Sequence, residues 1–481
     1  MWPRSCAYIH AVVKELKARG SSWMWSAVPM LAALLGLAWV GFDGLNGQDA
    51  YDYLRLSKAW SAWPGGGPRP VLSEHPHGYP LVGALLGPVL GGEAIALRIV
   101  CVVAFIALLG MVHALVKGFV PGRWSTVYVL LACGLSPFLL RASLVVMSDV
   151  PALASLFGSF LMTVRWHRGG RVGHLLLAVA LSLLSLAFRL AALPMLAVLG
   201  CWWAYGLWKV LPPRARYLWI AAITVVAAVA AILLWEHIGR EGLLSDWSFM
   251  NLFRRQLRSD DGVLTYTLPN VLRALLVLVH PGFLTMAVVL LPFVQRQDLK
   301  DPVIGMAVLL ALVYLVFVAG MPYQNDRVYL FAQPFLAVAY APAFQRVIAR
   351  SSGPIARLRR TWPLLVVVQA ALFVRAMVPF VQQARMEHEV ADELRRFGAG
   401  QVYTHGMGAA LDELLPNADV NELWYGEIGA FAPDAYLVVR PRDLERQWRE
   451  LPPALNWERA REQGLDVLAE REDGWCIARV R

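Results

Sequence analysis

Apolar runs of about 20 residues recur along most of this chain, and a run of that length crosses the hydrocarbon core of a bilayer as one helix. That recurrence constrains the fold more than any other feature. In lipid every backbone N–H and C=O must be satisfied within the protein, so only helices and closed barrels span. A barrel would need short segments of alternating polarity, and these runs do not alternate. Composition agrees: 58% of the 481 residues are hydrophobic and 16% are charged, against about 25% charged in soluble domains. The expectation is an all-α polytopic membrane protein.

A window of about 19 residues places spans at 23–41, 95–116, 125–140, 148–165, 173–190, 191–208, 217–235, 271–294, 303–320, 328–345 and 362–381. If each crosses once, the loops holding Lys117 and Arg123, then Arg165, Arg168 and Arg171, then Lys209, Arg214 and Arg216, then Arg296 and Lys300, then Arg346 through Arg360 share one side with the basic amino terminus. Positive loops mark the cytoplasmic face. The reading is therefore about eleven transmembrane helices in a plasma (inner) membrane, amino terminus cytoplasmic, carboxyl terminus outside. The weakest boundary is near Arg189, where the fifth and sixth spans could merge and invert every later span. The net charge of +10 comes from these loops and does not point to nucleic acid. Four of the five cysteines fall in or beside the membrane part, so no disulfide framework is indicated. No cleavable signal is evident.

Two outer segments are long. Residues 42–94, the first extracytoplasmic loop, contain HPHGYPLVGALLGPVLG, which is too short and too broken by Gly and Pro to span and suits an interfacial helix. Residues 236–270 carry Arg254, Arg255 and Arg258, a basic cluster that more often marks a solvated face. Composition changes near Arg385. The membrane domain is assigned to 1–384 and an extracytoplasmic α/β domain to 385–481, where 19 Asp and Glu face 12 Arg. QVYTHG and DAYLVVRP read as buried strands, MEHEVADELRRFG and ERAREQGLD as helices.

Charges in or beside the membrane part are candidate functional groups, because burying them is costly. Asp49 follows the first span directly. Asp49 and Asp52 also have the spacing of a helix-capping pair ahead of YLRLSKAW, and Asp52 would share a helical face with Asp49. Asp149, in VVMSDVPAL, sits at the outer mouth of a span, where Ser148, Asp149 and Pro151 also look like a helix start; Arg141 is close enough in sequence to pair with it. Arg189 interrupts SLLSLAFRLAALPML. Arg327, in MPYQNDRVYLFAQP, is a cation at an outer span end, where an interfacial anchor paired with Asp326 is the alternative. Arg98 is a weaker candidate. His75 and His77 beside Glu74 are too few for a closed metal site, so no cofactor is expected and a divalent metal has no support. Tyr79 could line an acceptor path. His280 reads as a satisfied core histidine. ATP-driven, zinc-protease and serine-hydrolase motifs are absent from the sequence.

An acid just after span one, then HPHGYPLVGALLGPVLGGEAIALRI, then LSPFLLRASLVVMSDVPALASLFGSFLM, together resemble the GT-C superfamily of integral-membrane glycosyltransferases, in particular the protein O-mannosyltransferase and aminoarabinose-transferase branch. The resemblance covers roughly 23–345. It implies a sugar donor carried on a polyprenyl phosphate, with a lipid, glycan or protein acceptor, an acid at Asp49 as general base, Asp149 shaping the site, and Arg189 and Arg327 at the carrier phosphate. His75, His77, Tyr79, Asp52 and Arg141 are assigned to substrate binding. The family's Asp-Glu pair is here Asp49-Ala50, its HPPxY-like segment is His75-Pro76-His77-Gly78-Tyr79, and a common Lys is replaced by Arg189. Two rival functions share many of these features. A lipid or solute transporter commonly shows two related halves, which this sequence lacks. An O-antigen-type polymerase or ligase would not need an acid after span one.

Overall fold

The structure, a computed structural model, describes residues 22–68, 70, 76–210, 212–218, 221, 246–259, 262–284, 286–349 and 362–481. In chain order the membrane part contains α1 (Val28–Trp39), α2 (Gly47–Ala62), α3 (Gly78–Leu90), α4 (Glu93–Val116), α5 (Arg123–Val129), α6 (Pro137–Leu144), α7 (Asp149–Gly169), α8 (Val172–Phe188) and α9 (Leu193–Val210). A short hairpin follows, β1 (Gln256–Ser259) with β2 (Gly262–Thr265), then α10 (Asn270–Leu276), α11 (Pro281–Leu284), α12 (Ala287–Leu290), α13 (Pro302–Ala319), α14 (Gln333–Ala349) and α15 (Trp362–Phe397).

Among the described residues four helices are long and apolar enough to cross a membrane: Glu93–Val116, Leu190–Val210, Pro302–Ala319 and Trp362–Phe397. Two bent pairs, broken by 69° at α5–α6 and by 112° at α10–α12, raise that to six. The sequence suggested about eleven. The difference lies largely in helix length: α1 has 12 residues, and α8 and α14 have 17 each. The span expected at 217–235 lies mostly outside the described residues. α3, a helix of 13 residues, has the short apolar form expected for this stretch.

Broken helices leave carbonyls that lipid cannot satisfy, and buried glutamines serve them here. The chain after α5 makes a π-helical turn at Leu130–Gly134. Gln369 Nε2 donates to Leu131 O at 2.6 Å, and Gln333 Nε2 donates to both Ala132 O at 3.0 Å and Phe283 O at 2.9 Å.

α7, α8 and α9 settle the uncertain boundary at Arg189. α8 runs antiparallel to α7, since Ser182 bonds Ser159 at 2.8 Å and Ser185 bonds Ala152 O at 2.8 Å. α9 runs parallel to α7: Trp203 Nε1 donates to Thr163 Oγ1 at 2.7 Å, and Trp202 stacks on His167 at 4.6 Å. The chain therefore turns back at Arg189, whose extended backbone ends α8, and α8 and α9 are two antiparallel helices, not one merged helix.

α15 has 36 residues, a rod of about 54 Å at 1.5 Å per residue, against about 30 Å of hydrocarbon. Its apolar first half suits lipid and its charged second half projects beyond, so one continuous helix runs through the composition change at Arg385. Gly398, at φ +70°, ends it in the left-handed conformation common at helix ends. Next come β3 (Gln401–Thr404), α16 (Gly408–Leu414), β4 (Asp419–Glu422), β5 (Tyr436–Val439), α17 (Pro441–Gln447), α18 (Pro452–Gln463), β6 (Leu465–Glu470) and β7 (Cys476–Val480). The sheet order is β4-β3-β5-β7-β6. β3 is parallel to β4 and β5, with Val402 opposite Tyr436, while β7 is antiparallel to β5 and β6. Alternate residues face opposite sides: Val438 and Ile477 join the core with Val390 and Leu394 of α15, and Leu437 and Val439 pack with Leu444 of α17 and Trp457 of α18. This domain docks on the membrane part through α16, which lies along α2, and through a Lys58–Glu413 ion pair at 2.5 Å.

Candidate active site

The loop before α2 and the segment before α7 are tied together. Gly44, at φ +97°, has no room for a side chain: a Cβ there would lie 3.1 Å from Arg98 Cδ and 3.2 Å from Leu144 O. That close approach lets Gly44 O accept the Val146 N–H at 2.9 Å. A second tie joins Tyr53 of α2 to Ser148, hydroxyl to hydroxyl, at 2.7 Å. These contacts bring the start of α2, with Asp49 in its first turn, to the start of α7, whose first residue is Asp149.

Arg327 arrives from the segment after α13, which is held by a dense set of bonds. Gln324 Nε2 donates to Val318 O at 2.7 Å and Met321 O at 2.8 Å, Asn270 Nδ2 donates to Ala319 O and Met321 O, and Tyr314 donates to Val328 O at 2.8 Å. So fixed, Arg327 bridges two acids. Its Nε–H bonds Asp149 Oδ2 at 2.5 Å, and its Nη1 bonds Asp49 Oδ2. Arg189 Nη1 lies 3.1 Å from Asp149 Oδ1. Two carboxylates and two guanidiniums thus meet at one end of the helix bundle. Asp149 is 1% exposed while Asp49 is 36% exposed, so the cluster has a buried side and an open side. Burial would pull the Arg327 guanidinium below its usual range, but Asp149 and Asp49 outweigh it and hold the pKa above.

Several expectations change in detail. Asp49 is not the helix cap: Asn46 holds that position, and Asp49 is the third helical residue. Arg141 does not pair with Asp149 but sits over the rings of Phe380 at 4.6 Å and Phe138 at 5.0 Å. Arg327 reaches Asp49 and Asp149 instead of pairing with its neighbour Asp326. Tyr79 is fully buried, donating to Leu97 O at 3.0 Å beneath the site, a position unlike the lining of an open path. Asp52 pairs with Arg55 at 2.8 Å and lies on the side of the carboxyl-terminal domain, where its charge is felt by Glu422. His77 accepts from Trp60 at 3.0 Å; His75 lies outside the described residues. Among the described residues no three His, Cys, Asp or Glu side chains form a group that could hold a metal. Arg254, Arg255 and Arg258 lie exposed at or near the β1–β2 hairpin. His280 accepts the Gly282 N–H at 3.1 Å and stacks on Phe138.

The sequence reading passed over Tyr53, whose spacing of four from Asp49 puts it on the same helical face. It also passed over Gln324 and Glu387, for which local sequence offers no comparable signal.

Neither a protein-family model nor a curated protein sequence matches the chain. Solved structures do. The crystal structure of ArnT from Cupriavidus metallidurans bound to undecaprenyl phosphate matches with a TM-score of 0.51 at 14% identity, over 94% of this chain and 97% of that one. The apo state of the same protein gives 0.51 at 15% identity, over the same shares. The apo oligosaccharyltransferase of Archaeoglobus fulgidus gives 0.42 at 14% identity, over 86% and 70%. The chain has the fold of the GT-C superfamily of membrane glycosyltransferases. Within that fold it resembles ArnT over nearly the full length of both chains.

Proposed function

We propose that this protein is an integral-membrane glycosyltransferase that moves a sugar from a polyprenyl-phosphate carrier to a hydroxyl of an extracytoplasmic acceptor. The observation that carries the reading is the bridge from Arg327 to both Asp49 and Asp149. A solved structure of the same fold holds undecaprenyl phosphate, which supports a lipid-phosphate donor.

The reaction is a single displacement with inversion. Asp49, on the open side, takes the proton of the acceptor hydroxyl as general base. The acceptor oxygen bonds to the anomeric carbon while the bond from that carbon to the phosphate oxygen breaks. The phosphate leaves with the electron pair, and Arg327 and Arg189 stabilise its growing charge, Arg through a planar fork that suits phosphate oxygens. Without substrate the two guanidiniums are matched by the two carboxylates. An incoming phosphate competes with Asp49 for Arg327, and Asp49 gains basicity as it loses that partner. Asp149, buried, keeps hold of both guanidiniums and fixes their direction.

The test is sugar transfer by the purified protein and its Asp49→Asn variant, with a panel of polyprenyl-monophosphate sugars and membrane extract as acceptor. Transfer by the native chain, reduced on the order of 10²- to 10⁴-fold in a folded variant, is the expected result. Equal transfer in both moves the base elsewhere. No transfer with any donor, together with no binding of a labelled carrier, removes the proposal and favours a transporter.

A further inference from the structure

We propose that Glu387 is a positioning residue for Asp49, acting from α15 across the start of α2. The proposal rests on the reading of Asp49 as the base. The first N–H groups of any helix lack partners within it. In α2 the capping residue, Asn46, makes no side-chain bond to them. The acceptor comes from another element, 340 positions away: Glu387 Oε1 takes the Gly47 N–H at 3.1 Å and also the Gln383 Nε2–H at 2.9 Å. Glu387 is fully buried, so water does not compete for these bonds. Burial pushes Glu387 up to about 7, and its side-chain oxygen accepts the Gly47 N–H in either protonation state.

Gly47 lies two residues before Asp49, within the same turn. The direction of α2 at that turn decides whether the Asp49 carboxylate meets Arg327 or swings away. Besides its ties to the membrane part, α2 has two anchors from the carboxyl-terminal side: Glu387 at its start, and further along the Lys58–Glu413 pair with α16. Both come from α15 or the domain it carries. The carboxyl-terminal domain is thereby joined to the base through α15 and α2, and its seating helps to set the position of Asp49.

The experiment uses full-length protein in detergent, with Glu387→Ala and Glu387→Gln. Glu387→Ala should lower kcat on the order of 10- to 100-fold, as a misplaced reacting group does, and should not raise KM for the lipid-linked sugar, since Asp49 no longer competes with the phosphate for Arg327. The acid limb of its kcat/KM profile, which reports the free enzyme, should move to higher pH, because Asp49 separates from Arg327. Glu387→Gln retains an acceptor for Gly47 and should recover most of kcat. An unchanged kcat in Glu387→Ala, or a fall with no movement of the acid limb and no rescue by Gln, overturns the proposal. Hydrogen exchange at residues 47–51 provides a second readout in both variants. Faster exchange in Glu387→Ala than in Glu387→Gln is expected, and equal exchange counts against the proposal even if Glu387→Ala is poorly folded. A native protein inactive with every donor removes the assigned reaction, while the exchange measurement still reports whether Glu387 anchors α2.

Discussion

Arg327 and Asp149 are joined at 2.5 Å across 178 positions of sequence, and Asp149 is almost wholly buried. A buried carboxylate that loses its partner keeps its desolvation cost without the compensating attraction. Asp149 keeps Arg189 as its second partner, so Arg327→Ala should destabilise the detergent-purified protein by about 1–3 kcal/mol, read as a lower melting temperature. Arg327→Lys keeps the charge but not the fork, and cannot reach Asp49 and Asp149 together. It should fold and yet lose transfer on the order of 10²- to 10³-fold. Native-like melting of Arg327→Ala would show that the bridge does not form in the protein.

Tyr53→Phe removes one of the two ties between the base helix and the start of α7. Ser148 is fully buried, so its hydroxyl loses a partner that water does not replace. The expected cost is about 1–2 kcal/mol, with a several-fold lower kcat because Asp49 and Asp149 are less firmly held. A melting curve and a transfer rate for the one variant check both, and an unchanged pair of values refutes the tie.

The charges were legible in the sequence for one reason: Asp49, Asp149, Arg189 and Arg327 stand where hydrocarbon makes charge expensive. Which charge meets which was not legible. Arg141 is eight residues from Asp149, and sequence nearness suggested that pair; packing instead placed Arg141 over two rings and brought in Arg327 from far along the chain. The strands at QVYTHG and DAYLVVRP showed as apolar runs because β3 and β5 are central and buried. β6, at the sheet edge, is largely exposed and carries no such run. Hydropathy alone does not show where a stretch is broken: a π-turn and a 69° bend interrupt the apolar run at 123–144 without any change in it.

Gly78 packs α3 on α8 at the backbone level. A Cβ there would lie 2.5 Å from Ala187 O and 2.7 Å from Ala187 C, atoms that cannot rotate away. Gly78→Ala should force the helices apart at a cost of about 1–3 kcal/mol, and shift Arg189, two residues beyond Ala187. Lower melting temperature and slower transfer are expected together. Gly36→Ala is the control, since a Cβ there meets nothing within 4 Å. A Gly78→Ala protein that melts and turns over like the control would mean the two helices are not in contact.

In the carboxyl-terminal domain two buried groups, Glu422 and His405, titrate with opposite effect. Burial pushes Glu422 up to about 7, against the bonds it accepts from Gly408 at 2.6 Å and Gly406 at 3.2 Å, and Asp52 pushes the same way as burial. Burial pushes His405 down to about 4, with Asp443 pulling back. Glu422 binds its proton more tightly folded than unfolded, so its contribution to stability is complete below about pH 4.5 and lost as pH rises through 7. His405 binds its proton less tightly folded, so its contribution is present above about pH 6.5 and lost as pH falls through 4. Between pH 4.5 and 6.5 the two slopes, roughly 1.4 kcal/mol per pH unit each, cancel. Glu387, on the charged half of α15, is likewise pushed up to about 7 by burial and adds a second loss over the same range. The native protein should therefore lose stability as pH rises from about 4.5 to 7. Glu422→Gln should make that fall shallower by roughly 1.4 kcal/mol per pH unit. Melting curves of full-length native and variant protein at several pH values decide the matter, and parallel curves across the whole range would mean that Glu422 is ionised in the folded domain.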